Sequence, residues 1–257
     1  MNRIEDYNLL KNRIVNWIKD YADKNRIQSL VVGVSGGIDS AVVSTLCAKT
    51  GLPTYVVAMP LNSTHQNTRL SDLHTKQLAE KYENVTRVEV ELSSVYESLF
   101  HSINWWSEAQ QFDKKEFTSD ELANANTKSR IRMVTLYQIA GAKKGIVVGT
   151  GNKVEDYGIG FYTKYGDGGV DIAPIADLYK TEVRELGGFL GVDALILDAK
   201  PTDGLWDDGR SDEDQIGATY AELEEAMENG TGKAVDILCK FNNKNSHKTQ
   251  PIPTFKL

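Results

Sequence analysis

The sequence predicts an α/β protein built on a doubly wound, mainly parallel sheet with helices on both faces. Three observations predict it. Apolar, β-branched runs alternate with helical periodicities from the N-terminus onward. The run Leu30–Val34 is apolar throughout, as a strand covered on both faces must be. That run also feeds straight into the glycine-containing turn of VVGVSGGIDS, Val31 to Ser40, and such sheets bind ligands beyond the carboxyl ends of their strands.

The elements follow in order. Ile4, Leu9, Ile14, Trp17, Ile18 and Tyr21 recur at helical spacing and predict an amphipathic first helix. After the strand at Leu30–Val34, Ala41–Leu46 reads as the buried side of a helix that Gly51 terminates. A strand at Thr54–Met59 precedes a polar loop, Pro60–Asn67, and a helix carrying Leu70, Leu73, Leu78 and Ala79. Val85–Val90 alternates as a third strand. Val95–Trp106 is aromatic and helical, with Trp105 and Trp106 expected in the core or an interface. A loop at Gln111–Asp120 leads to a long helix, Leu122–Ala140, with Ile131, Val134, Leu136 and Ile139 on its apolar side, and then to a fourth strand, Gly145–Gly149. Further on come a helix at Tyr179–Leu190, a short fifth strand at Ala194–Leu197, and an acidic run between Asp198 and Asp214 that reads as a solvated loop. Glu213–Met227 reads as one helix, Ala234–Leu238 as a short last one, and the tail at about 242–257 as extended and irregular. No repeat and no break divides the chain, so residues 1–257 are expected to form a single domain.

Composition narrows the function. With 257 residues, 40% hydrophobic and 25% charged, the chain can bury a substantial core. A formal net charge of -7 argues against a nucleic-acid surface, although it leaves local nucleotide sites open. Cys47 and Cys239 are too few for a disulfide framework, which suits a reducing compartment. The charged N-terminus has no secretory pattern and no stretch approaches a membrane span, so a cytoplasmic location without membrane contact is expected.

Chemistry gathers at three places. The first is the turn Gly33, Val34, Ser35, Gly36, Gly37, Ile38, Asp39, Ser40. Its glycines expose backbone N–H groups, and a helix opening near Ile38 adds a positive end, so an anion is favoured. Asp39 repels bare phosphate but binds Mg²⁺, which implies a metal between the two. The P-loop and the dinucleotide fingerprint both fail to match, and the bland alternative is an ordinary Ser/Gly turn. The second is GTGNKVE, Gly149 to Glu155, after the fourth strand. Loops that follow neighbouring parallel strands lie side by side, so Glu155 can join Asp39 on one metal; a purely structural turn is the other reading. The third is FYTKYGDGGVD, Phe161 to Asp171, either a ligand surface or a glycine-rich hairpin. There Lys164 can bind phosphate or carboxylate and Asp171 can accept from ribose hydroxyls or an amide. Arg130 and Arg132 lie two apart on a helix, so one at most enters a given site. Lys180 and Thr202 have no assigned role from pattern alone. His247 and Lys248 place two phosphate donors in the tail.

The conjunction of SGGIDS, RIRMVTLYQIA, GTGNKVE, FYTKYGDGG with VDIAPI, LYKTEVR, KPTDGL and the late SHK resembles the ammonia-dependent NAD synthetases, in the N-type ATP pyrophosphatase group with its adenine nucleotide alpha-hydrolase-like fold. SGGIDS alone marks only the wider group; the full set runs over nearly the whole chain. The resemblance implies ATP- and Mg²⁺-dependent amidation of nicotinic acid adenine dinucleotide (deamido-NAD) by ammonia through an acyl-adenylate, with AMP and pyrophosphate released. It implies that Gly33–Ser40 cradles ATP, that Asp39 and Glu155 bind the metal, that Thr150, Lys180 and Thr202 contact ATP, and that Arg130, Lys164, Asp171, His247 and Lys248 contact deamido-NAD. It also implies a homodimer with its dinucleotide sites at the interface. This chain departs from the family pattern in three places. One extra residue lies between Glu155 and Lys164, leaving Asp156 as a competing metal ligand; Thr249 stands where an arginine often follows the lysine; and Asp203 replaces a small alanine. The alternatives are a glutamine-fed amidotransferase, a tRNA-modifying pyrophosphatase and a nucleotide sensor without turnover. The first needs an additional glutaminase domain, the second a basic face or paired cysteines, and the third the loss of a metal carboxylate or phosphate lysine.

Overall fold

The computed structural model describes residues 3–61, 65–113, 116–202 and 211–256. Four parallel strands, β1 (Ser29–Gly33), β2 (Thr54–Ala58), β3 (Val85–Glu89) and β4 (Gly145–Val147), form one sheet in the order β3-β2-β1-β4. Leu30 pairs with Thr54 on one side and with Ile146 on the other. The chain therefore winds outward from β1 in both directions, and the cleft beyond β1 and β4 is the switch point at which such sheets bind ligands.

Helices cover both faces, which explains the unbroken apolar run in β1. On one face α1 (Tyr7–Asn25), α2 (Ile38–Ala48) and α6 (Lys180–Leu190) bring Ile14, Ile18, Leu46, Val183 and Leu186 against Leu30, Val32 and Ile146. Next to them α3 (His65–Lys81) packs Leu78 on Val34, Val56 and Val85. On the other face α5 (Glu121–Ala142) lays Leu136, Ile139 and Ala140 over Val31, Val57 and Val147. Cys47 is fully buried in the first of these layers, as a small apolar packing residue. Gly187 sets the spacing of α2 and α6: a Cβ there would stand 2.6 Å from Cδ1 of Ile38, so only glycine lets the two helices approach this closely.

Several expectations are corrected. Ala194–Leu197 is not a strand but a single helical turn, α7, because Asp193 caps it by accepting from the Leu195 N–H. A four-residue apolar run carries no period of its own, and the cap decides. The helix expected over Glu213–Met227 is two, α8 (Asp212–Ile216) and α9 (Tyr220–Asn229). Gly217 at φ 83° ends the first, and Thr219 starts the second in a reciprocal cap with Glu222. His65–Asn67, read as loop, already belongs to α3. Most of the acidic run, including Asp203, Asp207 and Asp208, lies outside the described residues, but Asp212 is buried rather than solvated. The tail is helical through Thr249: α10 spans Val235–Thr249. Its apolar residues stop at Phe241, which is why periodicity missed the rest. Beyond that point Asn245 Nδ2 donates to the Ile159 carbonyl at 2.8 Å and Lys248 Nζ to those of Gly160 and Tyr162 at 2.9 and 2.7 Å.

The aromatic helix α4 (Ser93–Ala109) also departs from a core assignment, since Trp105 is 67% and Trp106 47% exposed. Leu9, Trp17 and Val134 likewise face outward. Phe161–Asp171 is a series of turns instead of a hairpin, tied to the sheet by Gly149 N–H donating to Ile172 O and Asp171 N–H to Val147 O.

Candidate active site

Beyond the C-terminal end of β1, Gly36 takes φ 91°, in the left-handed region, so the chain doubles back into α2. Gly37 is the N-cap of α2 and offers no side chain to the helix's first N–H groups, which are left for a ligand. Within the turn, Gly37 N–H donates to Ser35 Oγ, Ser35 N–H donates to Ser40 Oγ, and Ser40 Oγ donates to Gly37 O, at 2.9–3.2 Å. Two serines thus brace the turn through two of its own amides, while the first N–H groups of α2 have no side-chain cap.

Asp39, in the first turn of α2, meets two partners from distant sequence. Lys180 Nζ donates to its Oδ2 at 2.6 Å, and Asn152 Nδ2 donates to its Oδ1 at 3.1 Å. The same ammonium donates to Glu155 Oε1 at 2.8 Å. Asp39 and Glu155, from the loops that follow adjacent strands, are therefore brought together around one lysine. The Lys180 side chain is 6% exposed, so this is an ion cluster removed from bulk water. Asn152, fully buried, also receives the Val154 and Glu155 N–H groups on Oδ1 at 3.1 Å, which fixes the start of the turn that carries Glu155. That turn, Val154–Ile159, is π-helical: the Gly160 N–H reaches back five residues to Glu155 O. Lys180 opens α6, where Glu182 accepts from the Tyr179 N–H at 2.8 Å and is itself gripped by Arg3 at 2.9 Å.

The electrostatics follow from this packing. Burial pushes the Asp39 carboxyl up and the nearby Glu155 charge adds to that, against the pull of Lys180. Burial acts on Glu155 in the same sense, but the Lys180 charge and hydrogen bond, with the Tyr220 hydroxyl, hold it below the usual range. The two carboxylates in turn overcome the burial of Lys180 and keep it firmly charged. Asp156 is different: burial and the charges of Glu155, Asp167 and Asp39 push it up to about 8, so it retains its proton at neutral pH. It lies so close to Gly151 that a Cβ there would stand 2.2 Å from its Oδ2.

A second group of predicted residues clusters around α10. Arg130 Nε donates to Lys164 O at 3.4 Å, Lys164 Nζ donates to His247 O at 3.1 Å, and Lys248 holds Gly160 and Tyr162 as described. Arg132 diverges, its Nε donating to Met59 O at 3.3 Å, as the two-residue spacing requires. Asp171 is not bonded to this group; it accepts from Tyr137 OH at 3.1 Å and Val147 N–H at 2.7 Å. Asp167 accepts from Ser129 Oγ and Thr163 N–H at 2.7 and 2.9 Å and so shapes the loop that presents Lys164. Thr150 lies three residues beyond the end of β4, and Thr202 is the last residue described before 211.

Sequence reading assigned no role to Asn152, Tyr220 or Asp212. Asn152 sat within a recognised motif. Tyr220 and Asp212 carry no local signal: Tyr220 meets Glu155 across 65 residues of sequence, and Asp212 joins the group through the Tyr220 hydroxyl.

Among the described residues no third His, Cys, Asp or Glu completes a metal cluster with this pair. Two convergent carboxylates are too few for zinc, but they suit Mg²⁺, which takes one or two carboxylates and completes its shell with substrate phosphates and water. The residues present therefore fit a magnesium–phosphate group.

A family model described as NAD synthase matches residues 10–252. A protein of Finegoldia magna named NH(3)-dependent NAD(+) synthetase is 33% identical over 253 residues, covering 98% of this chain and 97% of its own. One of the same name from Carboxydothermus hydrogenoformans is 36% identical over 240 residues, 92% of each chain. Among solved structures, an NMN synthetase from Francisella tularensis matches with a TM-score of 0.87 at 31% identity, covering 99% of this chain and 100% of that one. An NH3-dependent NAD synthetase from Campylobacter jejuni shares the fold, with a TM-score of 0.74 at 23% identity over 98% and 100% of the two chains. With a parallel α/β sheet, a phosphate-type turn at its switch point and a family match over most of its length, the chain belongs to the NAD synthase family.

Proposed function

We propose that this protein is an ammonia-dependent NAD synthetase, a carbon–nitrogen ligase that amidates the nicotinate carboxylate of deamido-NAD at the expense of ATP. The observation that carries the reading is the convergence of Asp39, Glu155 and Lys180 beside the N-terminus of α2, where β1 and β4 end. A carboxylate does not react with ammonia unaided, because its oxygen is a poor leaving group. Attack by that oxygen on the α-phosphorus of ATP expels pyrophosphate and gives an acyl-adenylate. Ammonia then attacks the acyl carbon, AMP leaves with the C–O electron pair, and the proton lost from nitrogen passes to solvent or a nearby base.

Each residue has a task in this scheme. The turn Gly33–Ser40 binds ATP phosphates through its amides, and Thr150, Lys180 and Thr202 complete the nucleotide's contacts. Asp39 and Glu155 hold Mg²⁺, which when bound neutralises phosphate charge. Lys180, permanently charged, adds a fixed positive centre, and its enclosure makes that charge count for more than it would in water. Arg130, Lys164, His247 and Lys248 bind the nicotinic dinucleotide's anionic groups, and Asp171 orients its polar end. The cations among them supply the local positive charge that a chain of net -7 needs.

The protein acts, in this reading, as a single domain in the cytoplasm and pairs as a homodimer. No helix among the described residues is long and apolar enough to cross a membrane. Trp106, Phe112 and Phe117 form an exposed aromatic cluster with ring centroids 5.6–5.8 Å apart beside the exposed Trp105, a surface suited to a second copy.

A second reading is favoured by the likeness to the Francisella tularensis NMN synthetase, which has a higher TM-score than the Campylobacter jejuni NAD synthetase. The chemistry is the same, but the amidated substrate is nicotinic acid mononucleotide. One experiment tests both: purified protein with ATP, Mg²⁺ and ammonium is given either substrate, and kcat/KM is compared with AMP as the monitored product. Preference for the dinucleotide is expected; a higher kcat/KM with the mononucleotide installs the second reading. ADP as product, or no turnover with either substrate, overturns both.

A further inference from the structure

The Tyr220 hydroxyl lies 2.6 Å from Glu155 Oε1 and 3.1 Å from Asp212 Oδ2, linking the turn after β4 to α8 and α9. A phenol has one hydrogen to give. The shorter distance assigns it to Glu155, on the same oxygen that Lys180 Nζ reaches at 2.8 Å. Two donors from two different helices therefore converge on Oε1, while Asn152 holds the Glu155 backbone N–H from below. A glutamate has three side-chain rotations, and holding its backbone leaves the carboxylate free to swing; converging donors on one oxygen remove that freedom.

We propose that Tyr220 is a positioning residue for Glu155, fixing the carboxylate in the orientation in which it receives a divalent cation. The proposal rests on the reading of Glu155 as a metal-binding carboxylate. Tyr220 is otherwise well placed for such a task. It is 5% exposed, its ring lies 4.8 Å from Lys180 Nζ, and its backbone N–H donates to Glu213 at 2.9 Å, so the hydroxyl has little room to wander. The ring and the hydroxyl also do separable things. The ring fills the layer formed with Val154, Ile159, Ile216 and Leu223, and the hydroxyl addresses Glu155.

The test is Tyr220→Phe, which keeps the ring under Lys180 and removes one oxygen. Mn²⁺ is titrated, by its electron paramagnetic resonance signal, into wild-type, Y220F and E155Q protein saturated with a non-hydrolysable ATP analogue, with no nicotinic substrate present. Loss of a hydrogen bond to a charged group predicts Mn²⁺ binding roughly tenfold to a hundredfold weaker in Y220F. The KM for the nicotinic substrate is expected to stay at the wild-type value, and the thermal midpoint, measured alongside, shows that the variant is folded. Wild-type Mn²⁺ affinity in folded Y220F, with affinity lost in E155Q, overturns the role of Tyr220 and leaves the metal reading intact. Equal affinity in wild-type and E155Q overturns the metal reading itself.

Discussion

The two halves of the candidate site are built differently. Around Asp39 the contacts run from side chain to side chain, are largely enclosed, and join residues 39, 152, 155, 180 and 220 from separate parts of the chain. Around Lys164 and Lys248 the basic groups rest on backbone carbonyls of residues 160, 162 and 247, at exposed or partly buried positions. The first arrangement is complete before any ligand arrives. The second consists of weaker, solvent-accessible bonds that a phosphate can replace one for one, since an anion is a better acceptor for ammonium than a neutral carbonyl. On the proposed assignment of the two clusters, preorganisation sits where charge is to be stabilised during transfer, and adaptability where the larger substrate enters and leaves.

The sharpest way to break this contrast is Lys180→Met. It leaves two buried carboxylates facing each other, and removing one partner of a buried ion pair costs about 3–5 kcal/mol. Amide formation is expected to fall below detection, with a large drop in the urea midpoint; an unchanged midpoint would show that the cluster is not preorganised. Asp39→Asn keeps the volume and leaves Lys180 bonded to Glu155, so a loss of roughly 10²–10³ in turnover is expected with little change in melting temperature. Near-normal turnover would remove Asp39 from the mechanism.

His74 separates titration of the scaffold from titration of the site. It is 3% exposed, its Nε2 is 2.9 Å from Ser44 Oγ on α2, and Asp193, itself bonded by Gln77, is the nearby charge. Burial pushes its pKa down to about 4 from an ordinary 6.5. Because the folded value is depressed, the stability it contributes is fully present above pH 6.5 and is lost as the pH falls from there towards 4. The loss is on the order of 3 kcal/mol. Urea unfolding of wild-type and His74→Gln protein at pH 7 and pH 4.5 should show a steeper acid loss in the wild type; parallel losses would assign acid sensitivity to the carboxylate cluster. The smallest effect is expected from Lys248→Met, a roughly tenfold rise in the KM of the nicotinic substrate with that of ATP unchanged, equal to about 1.4 kcal/mol. A shift in the ATP value instead would merge the two halves of the site.

Legibility in sequence followed how local each signal is. Leu30–Val34 and the turn after it were readable because a buried strand and a glycine turn are each written in consecutive residues. Pairing Asp39 with Glu155 needed only the rule that loops after neighbouring strands adjoin. Lys180, which reads from pattern alone as an ordinary helix-opening lysine, gains its role from Gly187, whose missing side chain lets α6 close on α2. Tyr220 was out of reach because nothing in ATYAEL says which hydroxyl faces a carboxylate 65 residues earlier. The C-terminal half of α10 has no apolar periodicity to read, because polar side chains bonded to carbonyls, rather than an apolar stripe, hold it in place.

The π-helical turn at Val154–Ile159 bears on how this site tolerates changes of length. A turn closed by bonds to the fifth residue takes one more residue around than an α-turn does. With that pitch Tyr157 turns to the outside at 62% exposure, while both ends of the segment keep their partners, Glu155 on Lys180 and Lys164 on the His247 carbonyl. A residue more in this segment can be taken up as helical pitch, without displacing the Glu155 side chain from Lys180.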